Sequence, residues 1–200
     1  MQFDLLENGM DSLKKAENAL EKDYVDESFH RFQIKDAVFD FVHGIEILIK
    51  LIIRQQNEEG IFDNKKDYQE AIKKLSNPDL DVLIEFPDLK TITITGAINK
   101  VSNQMKSIKG LELNLKDIVK KRNQIMHSTV NMSDEELVSF LGKLRLTLEQ
   151  VKKFFAEHIE NFSNDFAKEE RLEPMTEEEL LDDALASHAI DVYEDERLEY

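Results

Sequence analysis

Two hundred residues with 41% hydrophobic side chains suffice for one large domain, or for a domain of about 150–165 residues with an extension. The lack of cysteine excludes disulfides and thiolate metal sites. A net charge of −16, taken as one number, argues against nucleic acid as a partner, because phosphate needs cationic surface.

That charge is unevenly spread. Residues 1–89 carry 11 Lys/Arg against 20 Asp/Glu, residues 90–155 carry 12 against 6, and residues 156–200 carry 3 against 16. The middle of the chain is therefore cationic, with a net of +6 between segments of −9 and −13.

The opening MQFDLLENGMDSLKK has early acids and no unbroken apolar run, unlike a secretory leader. Phe3, Leu6, Met10, Leu13 and Leu20 recur at three- and four-residue steps and predict an amphipathic helix over the first ~20 residues. A longer helix is expected over 28–56, where Phe32, Val38, Phe41, Val42, Ile45, Leu48, Ile49 and Ile52 form a wide apolar face before Gly60. Its most apolar part, FVHGIEILIKLII, is interrupted by His43, Glu46 and Lys50 and is too short and too charged to span a bilayer. A soluble cytoplasmic protein with no membrane partner is expected.

KKDYQEAIKKLS predicts a third, short helix ending before Asn77-Pro78. LKTITIT alternates like a strand, but no second strand pattern exists to pair with it, so it reads as an extended lead-in to a helix over 96–107 capped by Thr95. Beyond Gly110, Asn114 is positioned to cap a helix over 115–127. Ser133 and Glu136 then form a capping box ahead of the longest apolar stripe, which runs from Leu137 to Phe155. Thr176 and Glu179 form another, for a short helix over 177–186 in an otherwise acidic end. The expected fold is all-α: a bundle of five or six helices over 1–165, with a partly mobile acidic C-terminal extension over 166–200.

One segment carries residues that packing does not call for. KDIVKKRNQIMHSTV places Arg122, Asn123 and His127 in the pattern R-N-x-x-x-H on the apolar frame of Ile118, Val119, Ile125 and Met126. Asn123 and His127, four apart, share a helix face, whereas Arg122 and His127, five apart, stand roughly 140° around the axis. Two routes bring them together. Either the backbone unwinds near His127, toward Ser128-Thr129, or two chains place their motifs across a two-fold axis. Histidine moves protons near neutral pH, and arginine holds a phosphate through two parallel hydrogen bonds. Together they suit attack of a ribose 2′-hydroxyl on its neighbouring phosphate, a reaction that needs no metal. No His/carboxylate cluster at ligand spacing suggests one, and no cofactor is expected. The plain alternative is a helix end where Asn123 and His127 bond locally and Arg122 is solvated.

KKRNQIMH, followed by a short loop, SDEE and a long amphipathic helix, resembles the HEPN family of helical-bundle ribonucleases and nucleotide-binding relatives. That family carries R-x4–6-H, often with Asn after the Arg, near the end of one helix with a final long helix behind it. FVHGIEILIKLII is similar to the family's early helix, in which Glu is followed four residues on by Lys, here Glu46 and Lys50. The resemblance covers about residues 27–160. It implies that Arg122 and His127 are the catalytic pair, that Asn123 orients them, and that two chains line one cleft as a homodimer. It implies a metal-independent endoribonuclease leaving a 2′,3′-cyclic phosphate and a 5′-hydroxyl on its RNA substrate, in microbial defence or stress. Thr129 stands where a toxin subgroup has tyrosine, so regulation through that tyrosine does not carry over. The alternative is a non-catalytic HEPN-like module that binds a nucleotide, RNA or a regulatory protein partner. A further reading is an interaction protein acting through its acidic tail.

Glu46 and Lys50 read either as an i,i+4 pair at the edge of a buried face or as support for the motif. His43 reads as a core or boundary histidine rather than a second base. Lys116, Lys120 and Lys121, with Lys106 and Lys109, form either a strip that tracks RNA phosphates or a solvated face. The acidic end either masks the motif or only solubilises the chain.

Overall fold

A 26-residue helix built almost wholly on one apolar stripe organises the chain. In the computed structural model, which describes residues 4–21, 31–77 and 80–168, this is α2, Arg31–Gln56. Val38, Phe41, Val42, Ile45, Leu48, Ile49, Ile52 and Ile53 are all buried along it. Helix α1, Leu5–Glu21, lies against it, with Met10, Leu13, Ala16 and Leu20 inward. The two cross closely at Gly9 and Gly44. A Cβ on Gly44 would lie 2.9 Å from the Gly9 carbonyl oxygen and 2.9 Å from the Leu13 amide nitrogen. Only glycine allows backbones this near.

The remaining elements are a 3-10 turn (Glu58–Ile61), α3 (Lys65–Lys74), α4 (Val82–Glu85), α5 (Ile94–Gln104), α6 (Lys106–Lys109), α7 (Glu112–His127), α8 (Asp134–His158) and α9 (Phe162–Lys168). The architecture is all-α, with no named strand among the described residues. Of its nine helices there, six run to ten residues or more, and three are single or double turns. One continuous core joins α1, α2, α5, α7 and α8. Helix α8 starts at the expected capping box, with the Ser133 hydroxyl accepting from the Glu136 amide and the Glu136 carboxylate accepting from the Ser133 amide. Its stripe of Leu141, Leu144, Leu148, Val151, Phe154 and Phe155 is buried as expected.

Several boundaries differ from the sequence expectation. LKTITIT does have a partner: Phe62 and Thr91 form an antiparallel bridge, flanked by the Asp63 amide on the Lys90 carbonyl and the Ile92 amide on the Ile61 carbonyl. The pairing segment is too short to leave a strand pattern. Thr93, not Thr95, caps α5, its hydroxyl accepting from the Gly96 amide at 3.2 Å. That helix stops at Gln104, where Met105 turns extended, and α6 restarts it.

Asn114 caps nothing, because α7 begins earlier, at Glu112. Gly110 and Leu111 already hold right-handed helical angles, so the turn of α6 feeds α7 without a side-chain cap. Buried Leu111 and Leu115 then anchor it. At the far end, α9 folds back through Phe162 and Phe166, both buried. Residues 28–30 of the expected second helix, the expected helix over 177–186 and the rest of the acidic end from 169 lie outside the described residues.

Candidate functional site

Helix α7 turns Leu115, Ile118 and Val119 into the core, which leaves Lys120, Asn123, Gln124 and His127 exposed. Arg122 sits between these two faces and is half-buried. Its Cζ lies 5.3 Å from the centroid of the Phe39 ring on α2, a cation–π contact. Its Nη1 donates to the Asn123 side-chain oxygen at 3.0 Å. Its Nε is buried with no hydrogen-bond partner. Such an orphaned donor costs roughly 1–3 kcal/mol and is kept in folded proteins only for a reason.

The structure thus brings Arg122 and Asn123 together, whereas His127 bonds to neither. His127 is the last residue of α7 and makes no hydrogen bond or ion pair among the described residues. The backbone becomes extended only at Ser128 (φ −151°, ψ 168°), whose hydroxyl donates back to the Gln124 carbonyl. Unwinding therefore comes after His127 and does not carry it toward Arg122. Within one chain the five-residue offset stands.

Beside the motif runs an open groove of about 480 Å³, lined by Lys116, Val119, Lys120, Asn123 and Gln124 of α7, by Ser128 just after it and by Thr95. It includes neither Arg122 nor His127. Of the three lysines expected beside the motif, Lys116 is engaged by Glu112, and this hydrogen bond holds the Glu112 carboxyl below its usual range. Lys120 and Lys121 have no acidic partner among the described residues, so their charge remains available to a ligand.

Glu46 and Lys50 are paired with each other at 2.6 Å, and Lys50 also donates to the Thr91 hydroxyl at 2.9 Å. Neither bonds to Arg122 or His127. The pair ties α2 to the extended segment before α5. His43 is exposed rather than at the core, because position 43 falls off the stripe defined by Phe41, Val42 and Ile45. It stands one turn beyond Phe39 on α2, near Asp40, whose carboxyl burial holds above its usual range against the opposing pull of Lys15.

The R-N-x-x-x-H pattern does not include Phe39, which the structure places against Arg122. The available signal was that Phe39 is aromatic yet off the apolar stripe of α2, where a surface helix ordinarily carries polar residues. Among the described residues, no three His, Asp or Glu come together in a group that could hold a metal ion. No described helix is long and apolar enough to cross a membrane. Compared with protein-family models, curated proteins and solved structures, the chain matches none of them.

Proposed function

We propose that this protein is a HEPN-like, metal-independent endoribonuclease acting as a homodimer in the cytoplasm, in microbial defence or stress. The observation that carries the reading is the end of α7, where Arg122 is held by Phe39 and Asn123, and His127 is exposed and unpaired. Both lie in the one segment of the chain with excess positive charge.

In the proposed reaction His127 takes the proton from a ribose 2′-hydroxyl, and the resulting oxyanion attacks the adjacent phosphorus. Arg122 stabilises the pentavalent phosphorane, a charge not present in the ground state. The bond to the 5′-oxygen breaks, and that oxygen receives a proton from a protonated His127, leaving a 2′,3′-cyclic phosphate and a 5′-hydroxyl. Lys120 and Lys121 hold flanking phosphates, and Lys116 does so only by leaving Glu112. Because α7 stays helical through His127, one chain presents Arg122 and His127 on different faces. A second copy, with its motif across a two-fold axis, supplies the missing convergence.

The separation of Arg122 from His127 within the chain also favours a second reading, a non-catalytic module that binds RNA or a nucleotide on the same face. Cleavage of single-stranded RNA in EDTA, with the new ends identified by mass spectrometry, decides between them. Cyclic phosphate ends support the ribonuclease, and RNA bound but left intact supports the module. Activity that vanishes in EDTA and returns with magnesium contradicts the mechanism.

A further inference from the structure

Phe39, which meets Arg122, and Lys35, which meets the same ring, are a turn apart on α2, at i and i+4, and both lie off the apolar stripe. Lys35 Nζ is 5.7 Å from the Phe39 ring centroid, and Arg122 Cζ is 5.3 Å from the same centroid. The two cationic centres are therefore at most about 11 Å apart, the sum of those distances. Neither forms an ion pair with a described residue. Asp36 and Asp40 are close in sequence, but neither bonds to Lys35 or Arg122, and Asp40 instead feels Lys15 and His43. Both cations therefore remain available to phosphate oxygens.

The guanidinium is also fixed before any ligand arrives. Phe39 covers it, Asn123 accepts from Nη1, and Nε is turned into the protein. Nη2 and the second hydrogen of Nη1 are left without a protein partner among the described residues. An arginine so constrained loses little further freedom on binding a phosphate.

We propose that Phe39 is the positioning residue for Arg122 and that Lys35 contacts an RNA phosphate beside the one Arg122 holds, so that the RNA-binding surface extends from α7 onto α2. The assignment rests on the RNA-directed role proposed above and adds residues that the R-N-x-x-x-H motif does not contain.

The test is fluorescence anisotropy of the full chain with a fluorescein-labelled single-stranded RNA carrying 2′-O-methyl riboses, which blocks the nucleophile, over a salt series. Lys35→Gln, at an exposed position, should lower the slope of log affinity against log salt by about 0.7, one single-strand phosphate contact. Phe39→Leu should weaken binding about three- to tenfold, while Phe39→Tyr, which keeps the ring, should bind as wild type does. A merely structural role for Lys35 would leave the salt slope unchanged. The wild-type slope in Lys35→Gln, or equal binding by Phe39→Leu and Phe39→Tyr, overturns the proposal while the RNA reading stands. Wild type that does not bind the probe at low salt overturns both.

Discussion

Gly44→Ala should destabilise the protein although it replaces a poor helix former by the best one. Alanine gains about 1 kcal/mol over glycine in a helix interior. At Gly44, however, the new methyl would lie 2.8 Å from Leu13 Cγ and 2.9 Å from both the Leu13 amide nitrogen and the Gly9 carbonyl oxygen. Leu13 could adjust its side chain, but two of the three atoms are α1 backbone and move only if the whole helix moves. Forcing α1 off α2 loosens Met10, Leu13, Ile45 and Leu48, all buried at this contact. Overpacking of this kind costs about 1–3 kcal/mol, and rigid backbone neighbours place it toward the upper end. The net loss is about 1–2 kcal/mol, or a Tm lower by about 2–8 °C for a chain of this size. Gly142→Ala is the internal control. That residue is exposed in mid-α8 with no heavy atom within 4 Å of a Cβ, so the propensity gain should appear undiminished. Thermal melts by circular dichroism at 222 nm should show opposite signs for the two substitutions. Gly44→Ala as stable as wild type, alongside a stabilised Gly142→Ala, would refute the close-crossing argument.

Ser133→Ala removes the hydroxyl that caps α8 and should cost about 1 kcal/mol, read as a Tm lower by about 2–4 °C. Glu17 links α1 to α8 by accepting from Lys14 and Lys152; burial pushes its carboxyl up, but the two lysines prevail and hold it below the usual range. A depressed carboxyl stabilises the fold above its unfolded titration, near pH ~4, and that contribution fades as pH falls through the folded value. Glu17→Gln should therefore lose about 1–3 kcal/mol at pH 7 in urea denaturation, with the gap to wild type closing by pH 3. Light scattering at tens of micromolar should find a homodimer, and a fully active monomer would remove the two-fold site from the mechanism.

The long elements were legible because their signals are local and repeated. The α2 and α8 stripes span many turns, and Ser133 with Glu136 carries both halves of a capping box within four residues. What escaped depends on tertiary contact. The Phe62–Thr91 bridge pairs segments too short for a period, and α7 starts at Glu112 because α6 already runs into it. At the candidate site, the pattern R-N-x-x-x-H singles out Arg122, Asn123 and His127, and the offset of His127 follows from helix geometry alone. The contact of Phe39 with Arg122 is not legible there, because nothing in the spacing of α2 says which helix will lay an arginine on it.

The reaction proposed for the end of α7 cleaves RNA through Arg122 and His127 without a metal ion. Its most direct test is the single-turnover rate of RNA cleavage in EDTA for wild type, Arg122→Ala and His127→Ala, each with a thermal melt. His127 is exposed and unbonded, so its removal should leave the melt unchanged. Arg122→Ala also removes an unpaired buried Nε and should melt within a few degrees of wild type. Wild type should cleave, and neither variant should give detectable product. Both variants folded and cleaving at the wild-type rate would contradict that reaction.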